Sequence, residues 1–255
     1  MISIPLLRMR ITIALSALLA ALFAPAARAD RRTLIRAYEY MTQPQGNLEL
    51  EIWNDVDAPS IGGFEQSTIT SRIELEYGLT DRWDVALYHV FEQAPGPDSS
   101  FRFDSWRLET RYRLLDKNVL PVDVLLYLEL ERPVDFSAPW EIEEKVILEK
   151  DFGRFALVTN FVFEQKLFHA DQGHEWEIDF GARYEVVPQL RLGAEFWTIQ
   201  ETVGGVTEGK YYVGPSISFA SSKIWLQLGA GFGGLPPGHR RAERPSPAQV
   251  RRSDP

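Results

Sequence analysis

The sequence predicts an all-β fold, an antiparallel transmembrane β-barrel of about 11–12 strands with short periplasmic turns and longer extracellular loops. The prediction comes from an apolar/polar alternation recurring through residues 46–235, from an export leader, and from connections that alternate in length. In a strand, successive side chains point to opposite faces, so such alternation makes a ribbon with one apolar and one charged face. Residues 106–114 show it plainly. Trp106, Leu108, Tyr112 and Leu114, with Thr110 among them, share one face; Arg107, Glu109, Arg111 and Arg113 share the other. A soluble barrel or sandwich packs the apolar face inward. An outer-membrane barrel turns it to lipid and lines its lumen with the charges. Alternation alone does not separate the two.

The N-terminus does. Residues 1–29 read as a secretory signal peptide: Arg8 and Arg10 are the basic region, 11–23 the apolar region, and Ala27-Arg28-Ala29 the small-x-small cleavage site before Asp30. An uncleaved anchor is the alternative. Beyond the leader no apolar run nears the roughly 20 residues of a membrane helix. The chain has no cysteine, so disulfides, thiolate metal sites, cysteine nucleophiles and a lipoprotein anchor are excluded. Net charge is −9; removing Arg8, Arg10 and Arg28 leaves 24 basic against 36 acidic residues, or −12. So acidic a chain, without basic clusters in its body, argues against nucleic acid as a partner. The mean hydropathy of −0.19 suits a barrel, where only every second residue must be apolar.

The strands follow in order. In 46–55, Leu48, Leu50 and Ile52 oppose Glu49, Glu51 and Trp53. In 68–79, Ile69, Ile73, Leu75 and Tyr77 oppose Arg72, Glu74 and Glu76, and a tight turn leads to 83–93. The fourth strand enters near Phe101. In 121–131 a Val/Leu face opposes Asp123, Tyr127, Glu129 and Glu131; in 140–149 the apolar face is interrupted by Glu144. Then come 155–163, 174–185 (Trp176, Ile178 and Phe180 against Glu175, Glu177, Asp179 and Arg183) and 190–196. In 211–219, Gly214, Ser216 and Ser218 leave an unusually small polar face, and Pro215 forfeits a ladder hydrogen bond. An eleventh strand covers 224–232.

The connections 79–82, 115–121, 151–154, 186–189 and 220–223 read as short and periplasmic; 55–66, 94–100, 132–139, 167–174 and 202–209 read as longer and extracellular. Aromatics gather near both rims: Tyr77, Trp83, Tyr112, Phe155, Tyr184, Phe219 and Trp225 at the short turns, and Trp53, Phe64, Phe91, Trp140, Phe163, Trp176 and Phe196 toward the loops. Two such belts are what membrane interfaces select. The expected location is the Gram-negative outer membrane, with lipid and the barrel-assembly machinery as partners. Residues 30–45 read as a lead-in, with 34–41 as an alternative closing strand. Residues 236–255, rich in Arg and Pro and without alternation, read as a disordered tail. Eleven strands leave no even closing strand. The competing explanations are an altered or truncated end, closure by 34–41, or Phe232 as a displaced terminal signal.

The run Glu74-Leu75-Glu76-Tyr77-Gly78-Leu79-Thr80-Asp81-Arg82-Trp83-Asp84-Val85-Ala86-Leu87-Tyr88 resembles the second hairpin of a poorly characterised group of Gram-negative outer-membrane β-barrels. Ile147-Leu148-Glu149-Lys150-Asp151-Phe152-Gly153-Arg154-Phe155, followed by Asn160, resembles their central hairpin. These are transporter-like proteins often linked by similarity to channels of phenol-degradation pathways. The shared residues are turn chemistry. The resemblance therefore implies the fold and a transport role, but no cargo and no catalytic residue.

On the polar faces carboxylates outnumber basic side chains. Glu74, Glu76, Arg107, Glu109, Arg111, Glu129, Glu177, Asp179 and Arg183 are the expected lumen lining. One reading is a passive channel for small solutes that weakly favours cations; the other is a salt-bridged structural barrel without conductance. No cofactor, metal site or enzymatic role is expected. An outer-membrane lipid hydrolase needs a Ser–His pair, and none of His89, His169, His174 and His239 lies in a serine motif. His169 and His174 flank Asp171 in what reads as a solvated loop. A soluble secreted β-protein is the remaining alternative.

Overall fold

The computed structural model describes residues 32–96, 99–167, 173–221 and 224–234. The leader, His169, His239 and the 236–255 tail lie outside them. The described chain is all-β: β1 (Leu48–Asp57), β2 (Thr68–Thr80), β3 (Trp83–Gln93), β4 (Arg102–Arg113), β5 (Asp123–Pro133), β6 (Trp140–Phe152), β7 (Phe155–Leu167), β8 (His174–Val187), β9 (Leu190–Val203), β10 (Val206–Ala220), β11 (Trp225–Gly229) and β12 (Phe232–Gly234). β1 to β11 form one antiparallel meander in chain order, a curled, barrel-like sheet. Among the described residues its ladder is open: β1 pairs only with β2, and β11 only with β10. Side chains bridge the seam, with Trp225 Nε1 donating to Glu49 Oε1 at 2.5 Å and the Trp53 and Trp225 rings 5.4 Å apart. No described helix is long and apolar enough to cross a membrane.

Register fixes which side chains share a face, because a one-residue slip would flip a whole strand. Leu108 sits opposite Leu87 and Leu130, while Glu109 sits opposite Ala86 and Glu129. The faces are inverted relative to a soluble fold. Leu50 is 63% exposed, Trp176 54% and Leu228 61%, whereas Glu74 is 0% and Arg111 2% exposed. The buried apolar clusters are small; one holds Tyr40, Leu125, Tyr127 and Ile147, another Leu34, Ala37 and Val158.

Two connections depart from the expected alternation. The 202–209 connection is a two-residue turn, Gly204-Gly205, with φ of 57° and 79°. Positive φ at both central residues is what a tight hairpin needs, and glycine supplies it without a Cβ clash. Conversely, 114–122 is an extended excursion held by Asn118 N donating to Asp123 Oδ1 at 2.6 Å. Two aromatics assigned to the rims, Trp53 and Trp225, turn inward, where Trp53 Nε1 donates to the buried Glu74 at 3.1 Å.

The last strand is broken. β11 pairs with Ser216–Ala220 and β12 with residues 211–213, so the two are pieces of one strand parted at Ala230-Gly231. In an antiparallel pair a residue's N–H and C=O face the same neighbour. Pro215 O accepts from Ala230 N at 3.1 Å, so the donor that proline lacks falls on this side. The ladder parts at that position.

Candidate functional site

The inner face carries a row of glutamates set by register. Glu109, Glu129, Glu143, Glu164, Glu175, Glu201 and Glu208 are successive cross-strand partners on β4 to β10. Like charges directly opposite are destabilising, so cations are threaded between them. Arg107 lies 3.1 Å from Glu129 and 2.9 Å from Glu131, and Lys145 lies 2.9 Å from Glu143. Toward the long-loop rim the row opens: Glu164 and Glu175 are half-buried, Glu201 and Glu208 exposed.

The predicted lining residues all meet on this face. Arg111 binds Asp84 through Nε (3.1 Å) and Nη2 (2.8 Å), pairs with Glu76, and lies 3.2 Å from Glu109. Tyr88 and Tyr127 donate their hydroxyls to Glu109 and Glu129. Arg183 joins Glu149 at 2.7 Å, Glu39 at 2.8 Å and Asp151 at 3.2 Å. Glu177 holds Arg36, and Asp179 faces Asn160 across β7 and β8. Glu74 Oε1 and Asp179 Oδ1 are buried without a hydrogen-bond partner among the described residues.

Sequence reading missed what fills the interior. Residues 32–46 form no strand; they cross the inner wall from β10 toward β2. Their backbone donors are taken by strand side chains. Ile35, Arg36 and Ala37 N–H donate to Glu195 at 2.6, 2.7 and 2.9 Å. Tyr38 N–H donates to Asn160 at 2.6 Å, and Asn160 Nδ2 returns a bond to Tyr38 O at 2.9 Å. Tyr40 N–H binds Glu149 and Gln43 N–H binds Asp84, both at 2.7 Å. The segment leaves at the short-turn rim, where Gln45 N–H meets Asp81 and Gly46 N–H meets Gly78 O. A Cβ at Gly78 would collide with the carbonyl of Pro44, which requires glycine there.

Small inner residues make the room. Leu34 packs where side chains at Gly181 and Gly193 would stand, and Ile35 against Gly229. Ser218 donates to Thr33 Oγ1 at 3.3 Å. The small polar face of the tenth strand was the legible trace of this seat. Burial pushes the Glu39 carboxyl up to about 7; Arg183 opposes that shift and Glu149 adds to it. Burial opposes the charge on Arg36, but Glu177 holds its guanidinium above the ordinary value.

Of the described histidines, His89 stands exposed on the outer face beside Phe103, and His174 lies at the start of β8. No group of three or more metal-ligating side chains with metal-site geometry occurs among the described residues. No protein-family model matches the chain, and no curated protein matches its sequence.

Proposed function

We propose that this protein is an outer-membrane β-barrel with an acidic interior, a pathway for small cations that residues 32–46 hold shut. The inversion of the faces carries the reading: large apolar side chains are exposed on one side of the long strands, while the other side buries carboxylates or guanidiniums on most of them and small or neutral side chains on β7 and β10. In water this arrangement exposes too much apolar surface; in lipid it is the favourable one, since an arginine on the lipid face costs roughly 2–4 kcal/mol at mid-membrane. The glutamate row supports the cation preference, because an acidic lining repels anions. The segment seated across the wall supports a closed state.

The test is conductance in planar bilayers. The intact protein is expected to be nearly silent, and a variant lacking residues 32–43 to give steps whose reversal potential in a potassium chloride gradient favours cations. That preference should weaken at high salt, as the Debye length falls from about 10 Å at 0.1 M to about 3 Å at 1 M. Anion preference at low salt contradicts the acidic pathway. Silence from both folded proteins makes the barrel structural, and failure to enter bilayers removes the membrane reading.

A further inference from the structure

On the outer face of β6 a charged side chain stands in mid-strand where the pattern calls for an apolar one. On β6 the outward residues run Trp140, Ile142, Glu144, Val146 and Leu148, so Glu144 has two apolar neighbours along the strand on either side. Across the sheet it lies between Leu128 and Phe163. Among the described residues no hydrogen bond or ion pair reaches its carboxylate. The adjacent Lys145 sends its ammonium to the other face, 2.9 Å from Glu143.

Glu144 lines a groove of about 780 Å³ whose walls include Trp83, Tyr112, Leu128, Phe161, Phe163 and Trp176. The size is that of a small-molecule site. Phe163 and Trp176 stand 4.4 Å apart, with planes inclined at 39°, and form one wall. Two of the groove's polar groups are satisfied internally: Trp83 Nε1 donates to Thr110 Oγ1 at 2.7 Å, and Thr110 donates to Asp84 O at 2.9 Å. Lys145 also borders the groove, but its ammonium lies on the inner face against Glu143, so among the described lining residues Glu144 is the one whose charge faces outward.

We propose that this groove binds an amphipathic organic cation, its ammonium against Glu144 and its apolar body along the aromatic walls. A carboxylate only accepts hydrogen bonds, and aromatic faces carry negative potential that attracts cations. A neutral apolar occupant would leave the carboxylate desolvated and unpaired. An anion would meet it directly. A positive head on an apolar body satisfies both walls and charge. The site does not rest on the membrane reading, since the groove lies on the outer face whatever solvent surrounds it.

The test is calorimetry with decyltrimethylammonium titrated into the intact protein in neutral maltoside micelles, with decyl sulfate as the anionic counterpart. Glu144→Gln and Trp176→Ala place the changes on the outer face, and circular dichroism confirms that each variant is folded. Saturable one-site binding of the cation, at least ten-fold weaker in Glu144→Gln and weakened in Trp176→Ala, supports the site. Equal cation binding by wild type and Glu144→Gln overturns it, as does equal binding of decyl sulfate. If Glu144→Gln instead changes the oligomeric state seen by light scattering, the groove is an interface between copies and the proposal fails.

Discussion

Residues 32–46 and the terminal strand made of β11 and β12 meet the same requirement in opposite ways. Buried backbone N–H and C=O groups must find partners. The N-terminal segment has no regular structure, yet its donors are taken by carboxylates and an amide from four strands, β3, β6, β7 and β9. The terminal strand has full alternation, Ile224, Leu226, Leu228, Ala230 and Phe232, yet its ladder parts opposite a single proline. Periodicity therefore reports which face a side chain takes; it does not report how firmly the backbone is held.

The largest way to break this contrast is Glu195→Ala. It strips the acceptor from three N–H groups at once, and each buried donor left unsatisfied costs about 1–3 kcal/mol. The expected result is rapid hydrogen exchange and protease cleavage within 32–46, with the β4–β8 amides unchanged. Leu34→Ala comes next. Leu34 is 1% exposed and fills the space above Gly181 and Gly193, so truncation should cost about 2–4 kcal/mol, read as a lower denaturation midpoint for the segment.

Pro215→Val sharpens the other side. It returns a donor facing β11, a net gain of about 0.5–1.5 kcal/mol, partly offset by the freer unfolded chain. Exchange should slow at residues 225–234 and nowhere else.

The effect of pH runs through one buried carboxyl, Glu39. The folded pKa of Glu39 lies above its ordinary 4.5, at about 7, because burial disfavours its charge; Arg183, Glu149 and Arg191 face it from the wall. Its contribution to holding the segment is therefore full below about pH 4.5 and lost as pH rises through about 7. Exchange within 32–46 should be faster at pH 8 than at pH 5.5, and Glu39→Gln should reduce that difference.

The strands and their faces were legible because a period of two has one reading at each position once β-structure is granted: Leu108 out and Glu109 in follow from sequence alone. The belts were less so, since Trp53 and Trp225 sit near strand ends, where distance from a turn says nothing about face. The glutamate row was invisible for another reason. Each glutamate could be placed on a polar face, but their alignment depends on register across seven strands. The seat of 32–46 left only an indirect sign, glycine and serine on a polar face where larger side chains are usual. Residues 32–46 themselves carry no period to detect.

The most direct test of the central claim, that residues 32–46 occupy the interior, is a cross-link from the segment to the wall. The chain has no cysteine of its own. A Cβ placed at Gly181 would lie 3.4 Å from the Cβ of Ala37, close to the roughly 3.5–4.5 Å a disulfide spans. That Cβ would also meet Leu34 Cδ1, so Ala37→Cys and Gly181→Cys belong in a Leu34→Ala background. The account predicts that mild oxidation of the folded protein closes this loop nearly completely, with a shifted band on non-reducing gels and neither thiol open to a bulky maleimide beforehand. Free, fully alkylated thiols and no shifted band, in protein shown to be folded, would contradict it.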